Sequence, residues 1–481
     1  MSDTAAPGRR LSFPTKFFYG FGSVAFGVKD QGFSYLLLIF YNQVVGLPSA
    51  TVGLAIMVAL MVDALLDPIV GQASDNWRSR WGRRHPFMYA AALPVAASYL
   101  LLWNPPAWSH EALFFYLIVV AILIRSFITL YEIPSSALSA ELTQDYDERT
   151  RLLSYRYFFG WWGGLTMTLA AFKIFLAPDA THKVGQLNAA GYSHYGLAAA
   201  AVMLCAILIS AVGTHNQIPH LKTPPHRKLT LPQLAREMLG TLSHRSFLLL
   251  LSASLFTSMG AGLVLSLNLY FNTYFWELSA NQIAAFTLGN FLSAILAFAF
   301  TAPLASRMGK RPGAVMLMIS SLLLGSAPIA LRLLGIFPAN GEPAVVYILL
   351  AQTIVSTALS IGGAILVSSM IADVVEDSEL RTGRRSEGLF FAAAAFVNKA
   401  VSGIGIFASS MILALVQFPA HARPGEVDPA IVRNLGLVYL PILLGLYAIA
   451  ITLISRYRIT RESHAESLRK LAAAAERMEE G

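Results

Sequence analysis

Two aspartates stand one helical turn apart in an otherwise apolar stretch. Residues 60–70 read LMVDALLDPIV, with Asp63 and Asp67 four residues apart and no cation within the run. On a helix, both carboxylates project from one face, about 6 Å apart. A charged aspartate at the centre of a membrane helix costs roughly 2.5–3.5 kcal/mol, and two like charges cost more. Such a pair is stable if it takes up a proton or a cation, or if it pairs with a lysine or arginine of another helix.

An arginine interrupts a second apolar stretch, VVAILIRSFITLYEIP. This residue, Arg125, comes seven residues before Glu132 and therefore lies on nearly the same helical face. Ionisable groups inside membrane segments are rare and mark functional sites. Two interpretations remain open at this point. Arg125 can hold a carboxylate, sulfonate or phosphate of a substrate in bidentate fashion, or it can neutralise Glu132 or Asp30 within the protein.

The composition shows that these stretches are membrane helices. Of the 481 residues, 56% are hydrophobic and only 13% are charged, whereas soluble domains carry about 25% charged residues. Apolar spans near the ~20 residues needed to cross a bilayer recur throughout the chain. We count twelve of them and predict an all-α membrane protein. The spans begin near Phe17, Thr51, Pro86, Leu113, Ser154, Leu197, Phe247, Gln282, Ala314, Ala344, Gly388 and Arg433.

Charge in the connecting loops predicts the topology. Alternate connections carry clusters of arginine and lysine, and the others have almost none. By the positive-inside rule, the basic loops and both termini are cytoplasmic, in what we expect to be the plasma membrane, or inner membrane, of a bacterium. The net charge of +8 therefore reflects topology rather than a nucleic-acid surface. The basic loops contain Arg78, Arg80, Arg83 and Arg84; Arg149 and Arg151; Arg307, Lys310 and Arg311; and Arg381, Arg384 and Arg385.

The sequence of one half is echoed in the other. RWGRR, at residues 80–84, returns as RMGKR at 307–311, and Ala140-Glu141 returns as Ala372-Asp373 with a following Arg-Thr at the same spacing. We therefore predict six-helix halves at 1–213 and 246–458, a cytoplasmic linker at 214–245 and a cytoplasmic tail at 459–481. Parallel six-helix repeats with a solute site at the midplane between them are typical of major facilitator transporters.

The basic loops are candidate gates. Asp75 in GQASDNWRSRWGRR can pair with Arg80, Arg83 or Arg84 across the cytoplasmic face, as a latch that opens and closes. Arg149 and Arg381 occupy corresponding positions in the repeated loops and are assigned the same role. The alternative is that these arginines anchor the protein to anionic lipid headgroups.

Four ordered motifs resemble one family. YGFGSVAFGVKD, DALLDP, YEIPSSALSAELTQDYDERTRLLSYRYFF and ADVVEDSELRTGRRSEG are similar to segments of the glycoside-pentoside-hexuronide:cation symporters, the melibiose permease-like family. The resemblance implies that Asp63 and Asp67 bind the coupling cation, with Thr129 completing the cage in sodium-binding members. Leu66 replaces an asparagine ligand of those members, so a proton is favoured slightly over Na⁺. Asp63 and Asp67 are metal ligands only if the ion is Na⁺, and no other cofactor is expected.

The resemblance also implies a solute site. Asp30 and Glu132 match the two acids that contact the sugar in the family, because carboxylates accept paired hydrogen bonds from vicinal hydroxyls. Lys399 matches the lysine that faces the cation site from the other half. Together with Lys29 and Arg125, Lys399 provides positive charges that are available to bind an acidic sugar such as a hexuronide.

Two features depart from the family pattern. Arg156 falls near the family's arginine on the fifth helix but is shifted by one residue. Ser136 stands where the family has a tryptophan that stacks on the sugar, and Trp162 is a candidate substitute.

We therefore predict a secondary transporter that works by alternating access, as a monomer among membrane lipids. It couples inward movement of a cation to that of a sugar-like solute, which includes the possibility of an acidic glycoside. The alternative is a carrier of lysolipids or other amphiphiles, because lysolipid symporters share these motifs. A transport-dead sensor fits poorly with the intact acid pair. An enzyme fits poorly because no nucleophile–base pair, HExxH or GxxxxGK[ST] motif is present.

Overall fold

A computed structural model describes residues 11–143, 146–178, 184–221, 245–382 and 387–457. For residues 140, 146–147, 149–150, 302, 375–382 and 387–393 it describes the backbone alone. The predicted tail and most of the predicted linker lie outside the described residues. The domain boundaries at 213 and 246 therefore stay a prediction.

Twelve long helical segments make up the described part of the chain, which confirms the all-α prediction. α1 runs through Phe13–Phe21 and Val24–Gln31 and continues to Val44 in a chain of short pieces, two of them π-helical, at Gly32–Leu36 and Phe40–Val44. The others are α2 (Ser49–Asn76), α3 (His85–Leu102), α4 (His110–Leu142), α5 (Tyr146–Ala170), α6 (Ala189–His215), α7 (Arg245–Tyr270), α8 (Ala280–Met308), α9 (Lys310–Leu333), α10 (Pro343–Thr382), α11 (Glu387–Leu415) and α12 (Pro429–Ser455).

Ten of these segments are long and apolar enough to cross a membrane by composition. The two others have identifiable reasons to differ. α1 is divided into short pieces, and α5 begins with a charged turn, YDERTR. Both are nevertheless packed within the bundle, α1 against α5 and α6, and α5 against α1 and α8.

Helix packing follows the same scheme in both halves. In the first, α1 packs on α5 and α6, α2 on α4, and α3 on α4 and α6. In the second, α7 packs on α11 and α12, α8 on α10, and α9 on α10 and α12. The halves meet where α2 packs on α11, α5 on α8 and α1 on α7. This correspondence, helix by helix at an offset of six, is what a duplicated unit produces.

Described hydrogen bonds close the seam at the end opposite the basic loops. Gln43 donates to the carbonyl oxygen of Pro419 at 3.0 Å and accepts from the backbone N–H of Ala422 at 2.9 Å. Tyr270 donates to Asn42 at 2.6 Å. These contacts join α1 to α7 and to the loop between α11 and α12. The two halves are thus joined by hydrogen bonds at this end of the described structure.

Glycine allows α1 to approach α5 closely. A Cβ on Gly27 would lie 1.9 Å from the carbonyl oxygen of Gly160, so Gly27→Ala must separate the two helices. We expect it to lower the free energy of unfolding by about 1–3 kcal/mol, the usual cost of overpacking. Gly445→Ala on α12, where a Cβ meets nothing within 4 Å, should raise stability by up to about 1 kcal/mol through helix propensity. Thermal denaturation in detergent measures both, and equal melting temperatures would contradict the packing described.

Candidate functional site

The two aspartates of α2 meet a threonine of α4. The hydroxyl of Thr129 lies 2.8 Å from Asp63 Oδ1 and 3.2 Å from Asp67 Oδ1. Pro68 lies inside α2 directly after the second acid; it has no N–H to donate to the carbonyl one turn earlier, which weakens the helix locally. The predicted cluster of Asp63, Asp67 and Thr129 is therefore brought together at one point between α2 and α4.

Two cations neutralise the acid pair. Arg125 Nη1 donates to Asp63 Oδ2 at 2.8 Å, and Lys399 Nζ lies 2.7 Å from Asp67 Oδ2 and 3.3 Å from Asp63 Oδ2. The Arg125 guanidinium also lies over the ring of Phe33, 4.6 Å from its centroid. Sequence reasoning proposed Glu132 or Asp30 as the internal partner of Arg125; the structure corrects this to Asp63.

The two ion pairs differ in which parts of the molecule they join. Arg125 and Asp63 belong to α4 and α2 of the same half, and their side chains are 4% and 0% exposed. Lys399 and Asp67 belong to α11 and α2, on opposite sides of the seam, and are 26% and 22% exposed. The first pair is enclosed within one half, whereas the second is a bridge that relative movement of the halves can break.

The predicted solute acids lie nearby. Asp30 forms an ion pair with Lys29 at 2.6 Å, but its own side chain remains 57% exposed whereas Lys29 is buried. Glu132 is partly exposed. Lys29, Arg125 and Lys399 each contact a carboxylate, so the expectation that they are spare for an acidic solute is not met in this conformation. Asp30 is the most exposed of these groups, and Glu132 is more exposed than the buried Lys29 and Arg125.

Arg156 is buried and supports the helix that carries Glu132. Its guanidinium donates to the backbone oxygen of Glu132 at 3.1 Å and to Ser135 Oγ at 2.9 Å, and lies 4.8 Å from the ring centroid of Phe26. These contacts join α5, α4 and α1. Its predicted role as a direct solute contact stays a prediction.

Trp162 lies at the seam between α5 and α8. Its ring stacks on Phe158 with centroids 5.4 Å apart and tilts against Phe291 of α8 at 4.4 Å. The indole remains 38% exposed. Stacking of a sugar ring on Trp162 stays a prediction. That Trp162 substitutes for the family's stacking tryptophan, whose position is occupied by Ser136, also stays a prediction.

The basic loop after α2 forms a compact ion network. Arg83 Nη2 and Arg84 Nε lie 2.7 and 2.8 Å from the same oxygen, Glu141 Oε1, and Arg84 also pairs with Asp75. Arg80 is exposed and lies 5.9 Å from the ring centroid of Trp81. The predicted pairing of Asp75 with an arginine of this loop is present at Arg84. The described pairs join α2, the loop before α3 and α4 within one half, and their gating role stays a prediction.

The repeat contains a matching pair that sequence reasoning did not include among the site residues. Lys310 Nζ lies 2.5 Å from Asp373 Oδ1, and these residues correspond in the repeat to Arg83 and Glu141. The duplicated Ala-Glu and Ala-Asp dipeptides carried this signal, because they place an acid at the same helix end in both halves. The side chains of Arg149 and Arg381 lie outside the part of the chain that the structure describes.

Removing the shared acid of this network should have a large effect. Glu141 is buried, and Glu141→Gln leaves two arginines without their common partner. We expect a loss of about 3–5 kcal/mol of stability, typical of breaking a buried ion pair, and slower solute exchange. Thermal denaturation and initial exchange rates measure these, with the exposed Arg80→Gln as the matched loop variant. If both variants behaved like wild type, the network would have no gating or structural importance.

The comparisons with known proteins agree with this architecture. The family model described as MFS/sugar transport protein matches residues 18–461. The chain is 25% identical to the isoprimeverose transporter of Lactiplantibacillus pentosus, covering 91% of this chain and 87% of that one. It is 25% identical to the glucuronide carrier protein homolog of Escherichia coli, covering 89% and 90%. It is 26% identical to the sodium-dependent lysophosphatidylcholine symporter 1 of Gallus gallus, covering 96% and 89%.

Solved structures support the fold. The xylose transporter of E. coli in a partially occluded inward open conformation matches with a TM-score of 0.61 at 15% identity, over 93% of this chain and 99% of that one. A nucleoside transporter matches with a TM-score of 0.63 at 13% identity, over 92% and 99%. The repeated helix packing, the acid pair at the seam and the family match together show that the chain belongs to the MFS/sugar transport protein family, the melibiose permease-like branch of the major facilitator superfamily, a family of transporters and not of enzymes.

Proposed function

We propose that this protein is a cation-coupled symporter of a sugar-like solute, with the proton as coupling ion. One observation carries the proposal: the acid pair of α2 is bonded across the seam to Lys399 of α11. A cation site located at the junction of two rocking halves is where ion binding can change their relative stability. A relative named as an isoprimeverose transporter supports a sugar as solute, and one named as a sodium-dependent symporter supports coupling to a cation.

The bridge suggests how coupling works. A proton that binds Asp67 removes the negative charge that holds Lys399, so the tie between α2 and α11 weakens. Neutralising Asp67 also removes a charge that is costly to expose to a low-dielectric seam. A solute bound between the halves can then stabilise the arrangement that opens to the other side. Movement of both ligands is thereby linked without any covalent step.

The solute site favours hydroxyl-bearing ligands. Asp30 is exposed and Glu132 is partly exposed, so both can accept hydrogen bonds from a ligand, whereas Lys29 and Arg125 are buried and paired. Carboxylates fix the orientation of a sugar through hydrogen bonds from its hydroxyls. A neutral glycoside is therefore the first candidate, and an acidic glycoside or hexuronide requires one of the cations to exchange partners.

A counterflow assay in proteoliposomes tests the proposal. Vesicles loaded with one unlabelled solute at a time should exchange it for labelled external solute, and the screen covers neutral glycosides, hexuronides, sulfosugars and lysolipids. We expect exchange of a sugar that an inward proton gradient accelerates. Absence of exchange for every sugar, in protein that is folded by size-exclusion chromatography, would overturn the proposal.

A lysolipid is the second candidate solute. It is favoured by the chicken relative, which matches over 96% of this chain, and by Ser136, which leaves the sugar platform of the family incomplete. Exchange of lysolipids without exchange of sugars would decide for this candidate. In either case we propose that the basic face is cytoplasmic, as the positive-inside rule predicts, and that one chain is the transporting unit.

A further inference from the structure

We infer that Arg125 acts as a tethered cation at the acid pair and excludes Na⁺ from it, which makes Arg125 the residue that selects against alkali cations. The inference rests on the proposed function, since it concerns which ion the same site accepts. The family resemblance implies a sodium site at the corresponding acids in sodium-binding members. The residues present in this chain do not fit that ion, for three independent reasons.

The first reason is the supply of oxygen ligands. Hard cations such as Na⁺ are held by several carboxylate, carbonyl, hydroxyl or water oxygens. Here each of the four carboxylate oxygens lies within hydrogen-bonding distance of Thr129, Arg125 or Lys399, and the single hydroxyl hydrogen of Thr129 serves Asp63 or Asp67 but not both at full strength. Leu66, one residue before Asp67, contributes no side-chain oxygen.

The second reason is charge. The two aspartates carry two negative charges, and the guanidinium and ammonium groups that contact them carry two positive ones, so the two ion pairs balance. The carboxylate of Glu132 also interacts electrostatically with Lys399. A further cation at this point would meet two resident cations within contact distance in a poorly screened environment, where like charges repel strongly.

The third reason is permanence. Asp63 and Arg125 lie on α2 and α4, which pack together in one half, and the guanidinium is further held by Phe33 of α1. Alternating access moves one half against the other and leaves the packing within a half largely intact. Lys399 can leave the site when the halves move, but Arg125 travels with Asp63. The exclusion of Na⁺ therefore persists through the transport cycle.

The wild-type protein provides the first test. Purified protein is titrated with NaCl against choline chloride at constant ionic strength and pH, and its melting temperature and solute exchange are followed. We expect neither to change with Na⁺ or Li⁺. A rise in melting temperature or faster exchange that is specific to Na⁺ would overturn the inference, while solute exchange itself would still support the proposed function.

Removal of the tethered charge provides the second test. Arg125→Ala combined with Leu66→Asn clears the guanidinium and restores an oxygen, so Na⁺ should now raise the melting temperature by about 2 °C or more through linkage. Arg125→Lys keeps the charge and should remain insensitive to Na⁺. A folded double variant that ignores Na⁺, or an Arg125→Lys variant that responds equally, would overturn the inference. Because melting temperature needs no transported solute, this readout stays separate from any failure of the proposed function.

Discussion

Asp67→Asn should abolish uphill accumulation of the solute while leaving exchange between the two sides. Asparagine keeps the size and hydrogen-bonding capacity of the side chain but cannot carry the charge that binds a proton or Lys399. One charge moving through 100 mV supplies about 2.3 kcal/mol, enough for roughly fifty-fold accumulation. We therefore expect the accumulation ratio in proteoliposomes to fall to about one in the variant, since this free energy is no longer coupled to solute.

The control for this prediction is a carboxylate far from the seam. Glu426, in the loop before α12, is largely exposed and pairs only loosely with Arg423 at 3.8 Å. Glu426→Gln should accumulate solute like wild type. Accumulation by Asp67→Asn that matches this control would remove the acid pair from coupling.

Asp30→Asn and Glu132→Gln should each weaken solute binding strongly. Each change replaces a charged acceptor by a neutral amide, and a hydrogen bond to a charged group contributes about 1.5–3 kcal/mol, which corresponds to roughly ten-fold to one-hundred-fold in affinity. The half-saturation concentration for counterflow measures the effect, and the ratio of accumulation at saturating solute should change much less. We expect this loss of affinity for a neutral solute, whose hydroxyls donate to the two carboxylates.

An acidic solute would give the opposite sign. Asp30 and Glu132 would repel its carboxylate, so removing either negative charge would tighten binding instead of weakening it. Glu111→Gln, at the exposed start of α4, serves as the neutralised control for both variants. Tighter binding in the site variants but not in this control would assign the solute to the hexuronide class and would require Lys29 or Arg125 to leave its present partner.

The acid cluster could be predicted because its geometry is local. Asp63 and Asp67 face the same way through the helical period alone, and the family resemblance supplied Thr129 and Lys399 as neighbours. The partner of Arg125 was mispredicted, although the signal was present. Arg125 comes one turn before Thr129 on α4, so a threonine placed at the acid pair also carries Arg125 to it.

The ion network of the basic face could not be resolved from sequence for a different reason. Asp75, Glu141 and Asp373 are equivalent acceptors for the nearby arginines and lysines when only their types are known. Which pairs form depends on how each basic loop packs against the neighbouring helix ends, and the described pairs form within each half. The twelve helices were predictable because the thickness and apolar core of the bilayer determine the length and composition of each span, and its two sides determine the charge of the loops. Their duplication was predictable from the repeated loop sequences.

Proton movement driven by solute tests the coupling claim most directly. Proteoliposomes with a pH-sensitive dye inside, in sodium-free medium, are given solute on the outside, with the membrane potential clamped. We predict that solute entry acidifies the interior in the wild-type protein and that Asp67→Asn admits solute without acidification. Solute entry by the wild-type protein with no change of internal pH, or equal acidification in the variant, would contradict the assignment of the α2 acid pair as the coupling site.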